Sequence, residues 1–308
     1  MSSAVSVIIP TRDRGQLVVD AVRSALAAPN PPAEVLVVDT GSTDGSVEEV
    51  ERLGQGIRVL RGDFRNPAKA RNTGAAEAKG EYLGFLDSDD LLAAGKTSCL
   101  ADVLASQPRA ALVHGTTDVI GADGRPLPDK TAAQAKGFAF AQRIGTSYGA
   151  LAGFCAMFTS ATLIRKEAFD SVGGYDEALD AYEDWDLYLR LSLDWRLVYA
   201  DCPAAVYRIW SGNVGWRRTA EWTIRVAEKH LAALPPLPPG EWERARYGFF
   251  RRLALSHHVL VNRRAAVRAA FAAARIAPVQ ALHDSDVRRP LLHSFLPPRV
   301  LFRRRPAT

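Results

Sequence analysis

Asp87-Ser88-Asp89-Asp90 gathers three carboxylates within four positions. Asp87 and Asp89 stand one residue apart, a spacing at which two carboxylates can share a hard divalent cation and the diphosphate it neutralises. No His or Cys clusters with them, so the oxygen-rich set suits Mg2+ or Mn2+. Asp-rich turns and helix caps show the same spacing, which makes the location of the pair the deciding feature. Far along the chain, Glu183-Asp184-Trp185-Asp186 opens a helical pattern. Asp184 is the candidate general base, able to take a proton from an attacking hydroxyl. Carboxylates also favour the positive end of a helix, and a base fixed at a helix start satisfies both roles. Asp186 is read as structural. Lys69 and Arg71, in Lys69-Ala70-Arg71-Asn72, lie near another helix start, where backbone N–H groups and a guanidinium fork attract phosphate. The plain alternative is a salt-bridged surface arginine. Tyr182, Trp185, Trp210 and Trp216 offer stacking surfaces, although aromatic residues more commonly fill cores.

These residues need strands and helices to hold them. Val5 to Ile9 is a continuous β-branched run ended by Pro10, the pattern of a buried parallel strand. Strands are likewise expected at 34–38, 57–60 and 82–86, separated by helices at 17–27, 46–53 and 68–78, the last closing at Gly80. Such alternation gives a parallel sheet with helices on both faces, and ligands bind such sheets at the strands' carboxyl ends. Asp39 and Asp87 to Asp90 follow two of the strands directly. Further on, the sequence predicts helices at 91–104, 166–172, 185–193 and 221–234. It predicts strands at 111–120, 154–164, 197–199 and 205–209, with a turn at Asp123-Gly124. Pro235 to Gly240 reads as a semi-rigid linker before one more helix at 242–277.

At 308 residues, 47% hydrophobic and 24% charged, the chain can bury a sizeable core, which excludes disorder as its general state. The opening residues lack a cationic flank, an apolar stretch and a cleavage signal, and no window is apolar enough to span a bilayer. Cys99, Cys155 and Cys202 are an odd count without CxxC spacing and read as free thiols in a reducing compartment, which makes the cytoplasm the expected location. From Glu241 to Thr308 there are 14 Arg, no Lys and four acidic residues, a net of +10 against +5 for the whole chain. The basic character therefore belongs to the tail. The aromatic-basic modules of nucleic-acid binders are absent, leaving a solvated helix face, an anionic acceptor, the inner membrane surface or a second subunit as its expected contacts.

Taken in order, Val5-Ser6-Val7-Ile8-Ile9-Pro10-Thr11, Val37-Val38-Asp39-Thr40-Gly41-Ser42-Thr43-Asp44-Gly45, Ala70-Arg71-Asn72, Leu86-Asp87-Ser88-Asp89-Asp90 and Glu183-Asp184-Trp185-Asp186 resemble the motifs of family 2 glycosyltransferases. The resemblance covers roughly residues 4–215. It implies an α/β GT-A fold: a nucleotide-binding, mostly parallel sheet with helices on both faces, here followed by a C-terminal helical module. It also implies inverting transfer of a sugar from a nucleotide diphosphate sugar to a hydroxyl of a glycan, lipid-linked glycan or small molecule. By position, Pro10, Thr11 and Arg12 would line nucleobase and ribose, and Asp39, Thr40 and Ser42 would close around the base. Lys69, Arg71, Asp87 and Ser88 would complete the donor site. Asp89, with Asp87, would hold the metal. Asp184 would be the base, reached through the turn Gly173-Gly174-Tyr175-Asp176, with Glu183, Trp185 and Trp210 toward the acceptor. Residues 1–100 would bind the donor, 101–234 the acceptor, with 235–240 as linker and 241–308 as basic module.

The chain departs from the family pattern at three positions. Arg12 stands where an aromatic is frequent, Thr40 where a second Asp is common, and Trp210 where a His often follows. Thr40 accepts a uracil N–H more weakly than a carboxylate, so dTDP and GDP stand beside UDP as candidate donors. A nucleotidyltransferase shares the acidic pair and nucleotide-binding sheet but wants a Gly-rich basic triphosphate loop, which Pro10 to Gly15 does not supply. A non-catalytic nucleotide-sugar-binding scaffold is the third reading, opposed by the presence of Asp87, Asp89 and Asp184 together.

Overall fold

The computed structural model describes residues 5–54, 56–64, 66–213 and 215–293. The first half alternates β1 (Val5–Thr11), α1 (Gln16–Leu26), β2 (Glu34–Asp39), α2 (Ser46–Glu51), β3 (Ile57–Arg61), α3 (Pro67–Glu77) and β4 (Tyr82–Phe85). There follow β5 (Leu91–Leu92), α4 (Lys96–Ser106), β6 (Ala110–Ile120), α5 (Pro128–Ile144) and α6 (Tyr148–Gly153). A 3-10 turn at Thr159–Ala161 leads into β7 (Thr162–Arg165), α7 (Lys166–Ser171), α8 (Glu183–Asp194) and β8 (Arg196–Arg208). The remaining helices are α9 (Trp216–Ala232), α10 (Pro239–Val259), α11 (Arg263–Ile276), α12 (Pro278–His283) and α13 (Ser285–His293).

One sheet of eight strands, ordered β3-β2-β1-β4-β7-β6-β8-β5, carries the first of two compact units, Met1–Ser147 with Ala156–Asn213. The block β3-β2-β1-β4 is parallel, as is the β6–β8 pair; β7 runs antiparallel to β4 and β6, and β5 to β8. The apolar residues of β1 and β2 are buried, as strands flanked on both sides and covered on both faces require. Helix α3 lies close on this block: a Cβ at Gly74 would come within 2.5 Å of Ile8 Cγ2, so only glycine allows the approach. In this register Thr11 pairs with Asp39, and Asp39 with Arg61. The carboxyl ends of β1 and β2 therefore open side by side, and the Leu86 N–H bonded to the Ile8 carbonyl (3.0 Å) carries the β4 end to the same edge.

Several expected elements differ. Residues 91–104 are not one helix: Leu91 and Leu92 pair with β8 before α4 begins, because two apolar residues there complete the sheet edge. The strand expected at 154–164 is confined to Thr162–Arg165. The segments 197–199 and 205–209 belong to one strand, β8, whose bulges opposite Ala110 to Thr117 absorb the polar and Pro203 interruption between them. Helix α5 was not anticipated, and 242–277 is two helices broken at Val261, whose φ of 63° lies in the left-handed region. The turn at Asp123-Gly124 is present, with Gly124 at φ 78°.

The three cysteines also require correction. Cys99 on α4 and Cys202 on β8 form a disulfide with Cα atoms 6.2 Å apart, and Cys155 lies outside that bond. A separation of 103 residues hides the pair from any spacing rule. With two of the three thiols oxidised, the cysteines give no reason to place the chain in a reducing compartment. Among the described residues, no helix is long and apolar enough to cross a membrane.

The second unit comprises Tyr148–Cys155 and Val214–Thr308. The division falls after Asn213 rather than at the Pro-rich segment, since α6 and α9 pack with α10. Helices α6 and α10 cross at glycines: a Cβ on Gly248 would lie 2.5 Å from the Gly153 nitrogen. Arg251 pins this unit together, pairing with Asp284 (2.8 Å) and Asp286 (2.6 Å) and donating to the Gly153 carbonyl (3.1 Å).

Candidate active site

The loops after β1 and β2 hold each other. Asp13 adopts φ 47°, a conformation disfavoured outside glycine, and three interactions fix it there. Its N–H donates to Ser42 Oγ (2.9 Å), and its Oδ1 accepts from the Thr43 N–H (2.7 Å) and the Thr43 hydroxyl (3.4 Å). Asp39, buried at the end of β2, accepts from the Ser42 N–H (3.0 Å), and the Thr40 N–H donates to the Thr11 carbonyl (2.9 Å). Pro10, Thr11, Asp39, Thr40 and Ser42 are thus brought to one edge of the sheet, with Arg12 exposed in the adjoining loop. The buried Thr11 hydroxyl has no hydrogen-bond partner among the described residues.

Beyond β4, the loop 87–90 is held from below. The Asp87 N–H donates to Ser160 Oγ (3.1 Å), which donates in turn to Asp90 Oδ2 (2.6 Å). Asp90 also accepts from the Arg208 N–H (3.0 Å) and is buried; burial first, and then the charge of Asp87, push its carboxyl well above the ordinary range. Ser88 is buried as well, so the loop turns Asp87 and Asp89 outward as its half-exposed carboxylates. Asp89 Oδ2 accepts from the Trp210 indole N–H (2.8 Å), and the Arg14 guanidinium stacks 5.3 Å from that ring. Burial and the neighbouring Asp87 raise the Asp89 carboxyl above its usual value. Lys96 lies fully buried beneath, its ammonium donating to the Ser160 carbonyl (2.7 Å) and the Phe85 carbonyl (3.4 Å); burial drives it down to about 7.

Arg71 joins this loop to the other carboxylate. Its guanidinium donates to Asp87 Oδ1 (2.6 Å) and Glu183 Oε1 (2.5 Å) and lies over the Tyr175 ring. Burial opposes its charge, and Asp87 and Glu183 more than offset that cost, so its pKa is raised. Arg71 is therefore buried rather than a surface residue, with a carboxylate at each of its two terminal nitrogens.

Asp184 follows Glu183 in the first turn of α8. Tyr182, just before, sits at φ 62°, a strained conformation that sets the helix entry. Asp184 Oδ1 accepts from the Trp185 N–H (2.7 Å) and Oδ2 from the Thr159 hydroxyl (3.2 Å). Burial, with the charge of Glu183 adding to it, pushes its carboxyl up to about 7. A carboxylate tuned close to neutrality is suited to accept a proton at physiological pH.

The remaining expectations divide. Lys69 is exposed and paired with Glu177 (3.2 Å). Trp185 is 2% exposed and packs edge-on against Tyr182, so the structure gives it to the core. Trp210 is half-buried at Asp89, Trp216 is exposed, and Glu183 is engaged by Arg71. Sequence reading missed Ser160, Thr159, Lys96 and Asn72. Asn72 grips the turn before α8, donating to the Tyr175 carbonyl and accepting from the Tyr175 N–H, each at 2.9 Å. Asn66, also missed, caps α3 through the Lys69 N–H (3.0 Å), and an Asn directly before Pro67 is the signal that could have found it.

Among the described residues no group of three or more His, Cys, Asp and Glu side chains is placed to hold a metal. Asp87 gives Oδ1 to Arg71 and Asp89 gives Oδ2 to Trp210, so each carboxylate has a second oxygen beyond these contacts. Two carboxylate oxygens fit a divalent ion that completes its shell from diphosphate and water.

Residues 6–172 match the family description "Glycosyl transferase family 2". The chain belongs to glycosyltransferase family 2. That membership sets aside the nucleotidyltransferase and scaffold readings. The chain is 40% identical over 89 residues to an uncharacterized glycosyltransferase of Rickettsia felis, a match covering 28% of this chain and 15% of that protein. It is 32% identical over 225 residues to the succinoglycan biosynthesis protein ExoU of Rhizobium meliloti, covering 66% of this chain and 62% of ExoU. The chain thus spans less than two thirds of the length of both. Solved structures with the same GT-A fold include TarS 1-349 of S. aureus in complex with UDP-GlcNAc (TM-score 0.63, 18% identity, 90% of this chain and 82% of that one). Another is the mannosyltransferase PcManGT of Pyrobaculum calidifontis in complex with GDP-Man and Mn2+ (TM-score 0.62, 21% identity, 96% and 82%).

Proposed function

We propose that this family 2 glycosyltransferase transfers a sugar from a nucleotide diphosphate sugar to an acceptor hydroxyl with inversion at the anomeric carbon. Asp184 takes the hydroxyl proton while the acceptor oxygen bonds to the anomeric carbon. The bond from that carbon to the diphosphate oxygen breaks, and the nucleoside diphosphate leaves with its electron pair. No protein nucleophile is needed. The observation that carries this reading is the bridge Asp87–Arg71–Glu183, which ties the acidic loop after β4 to the residue next to Asp184. The bridge fixes leaving-group site and base relative to each other, as near-attack geometry requires.

On the donor side, Pro10, Thr11, Arg12, Asp39, Thr40 and Ser42 receive nucleobase and ribose. Asp89 and Asp87 would hold Mn2+ or Mg2+, whose charge would neutralise the departing diphosphate. PcManGT, in complex with Mn2+ and GDP-Man, and TarS, in complex with UDP-GlcNAc, support a donor of this class. UDP, dTDP and GDP are the nucleotides to compare, because Thr40 presents a hydroxyl. The acceptor is a glycan, a lipid-linked glycan or a small molecule, met at the half-exposed Trp210; the C-terminal unit is given contact with a membrane surface or a second subunit.

The test is Asp184→Asn. Turnover should fall by roughly 10²- to 10⁴-fold, while the matching nucleoside diphosphate with Mn2+ still stabilises the protein. At 100 times its dissociation constant, that ligand adds about 2.7 kcal/mol. Unchanged turnover removes Asp184 as the base.

A further inference from the structure

We infer that the outer face of α11 is a docking surface for an anionic lipid bilayer. The argument starts from the helix itself. Ala266, Ala269, Ala270 and Ala273 are its buried residues, small side chains that let it lie close to α10 and α13. On the other side, Arg264, Arg268, Phe271 and Arg275 are exposed. At 100° per residue these four lie within about 60° of one another, opposite the alanine face. A solvated helix face ordinarily mixes charges of both signs and keeps large apolar rings inside. This one carries cations of a single sign around a phenylalanine that is 58% exposed. The chain then continues into α12, where Val279 and Leu282 are 72% and 68% exposed. From Arg244 to His283 the sequence holds eight Arg and no Lys, Asp or Glu, so no carboxylate within that stretch neutralises the stripe.

Guanidinium groups beside an outward aromatic ring match a surface that is anionic at its headgroups and apolar just below them. The cations meet lipid phosphates and the ring enters the acyl boundary. Charge complementarity favours this occupant over a second copy of the chain, whose same face would present Arg to Arg. The inference extends the proposed membrane contact of the C-terminal unit and stands apart from Asp184 chemistry, so each can fail without the other.

The experiment is co-sedimentation of the full chain with vesicles of phosphatidylcholine alone and of phosphatidylcholine mixed with phosphatidylglycerol. Binding to the mixed vesicles only, released by about 0.5 M salt, is the expected result. Changing Arg264, Arg268 and Arg275 together to Glu should lower partitioning by at least about a hundredfold, since each lost cation weakens it roughly fivefold. Phe271→Ser should lower it several-fold without changing its salt dependence. All four positions are exposed, so melting temperature and turnover on a water-soluble acceptor should match the parent. Equal binding to both vesicle types, undiminished binding by the triple variant, or self-association that the triple variant abolishes would overturn the inference.

Discussion

Asp184 and Asp186 stand two residues apart in the same helical turn, and their surroundings give them opposite tasks. Asp186 is fully buried and paired with Arg190 at 2.9 Å; that guanidinium also donates to the Val172 and Gly174 carbonyls, each at 2.7 Å. Every strong acceptor and donor in that group is engaged, and the result is a staple between α8 and the turn before it. Among the described residues Asp184 forms no ion pair, Arg71 acting on it only from beyond contact. It accepts from one hydroxyl and one backbone N–H, beside the negative Glu183, and its carboxyl rises to about 7. A satisfied carboxylate stabilises, whereas one denied a countercharge is left ready to take a proton.

Replacing each by Asn is the largest test of this contrast. Asp184→Asn should abolish most turnover and leave the melting temperature unchanged or higher. Asp186→Asn should do the reverse, with about 3 kcal/mol of stability lost as the Arg190 charge loses its partner, or roughly 5 °C in a chain of this size. Melting curves and initial rates on the two variants decide it; two variants with the same phenotype would erase the distinction.

Acidity sharpens the comparison further. Below about pH 7 Asp184 is protonated and cannot act as a base, so kcat at saturating substrates should fall about tenfold per pH unit on that side and level off above it. The stability effect has the opposite sense. The Asp184 carboxyl is raised from 3.8 to about 7, so its contribution is complete below 3.8 and is lost as pH rises through about 7. Parent and Asp184→Asn melting temperatures should therefore diverge between about pH 4 and about pH 7 in favour of the variant, the interval between those two values, and stay apart by a constant amount above it. A kcat limb centred near 4 would show that Asp184 is an ordinary carboxylate.

The same contrast explains what was readable beforehand. Val5 to Pro10 and Glu34 to Asp39 announce buried strands ending on polar residues, because uninterrupted β-branched runs have few other uses, and the Asp87 loop follows for the same reason. Asp184 was visible as one of three carboxylates in the first turn of an expected helix. Its tuning was not, since Thr159 and Arg71 lie 25 and 113 positions away in sequence. The partners of Arg71 were hidden because Glu183, which holds one end of its fork, lies 112 residues away. Strand β8 was seen as two pieces because bulges put Asp201, Cys202 and Pro203 inside a strand. Helix α5 lacks a strong amphipathic pattern, with Ala141 as its one buried residue, so periodicity had little to report.

The smallest expected effect separates the acidic loop after β4 from Asp184. Trp210 holds Asp89 through one indole N–H at 2.8 Å, and its ring also carries Arg14. Trp210→Phe keeps an aromatic ring for Arg14 and removes only the donor. A hydrogen bond to a half-exposed carboxylate contributes about 1 kcal/mol, so the Mn2+ concentration giving half-maximal turnover should rise about fivefold, with kcat at saturating Mn2+ held within about a factor of two. Asp184 is untouched by the change, and the pH limb near 7 should stay where it is. A shift in that limb would mean that the two carboxylate sites titrate as one unit through Arg71. An unchanged Mn2+ requirement would mean that the loop 87–90 holds Asp89 in place through Arg208 and Ser160 alone.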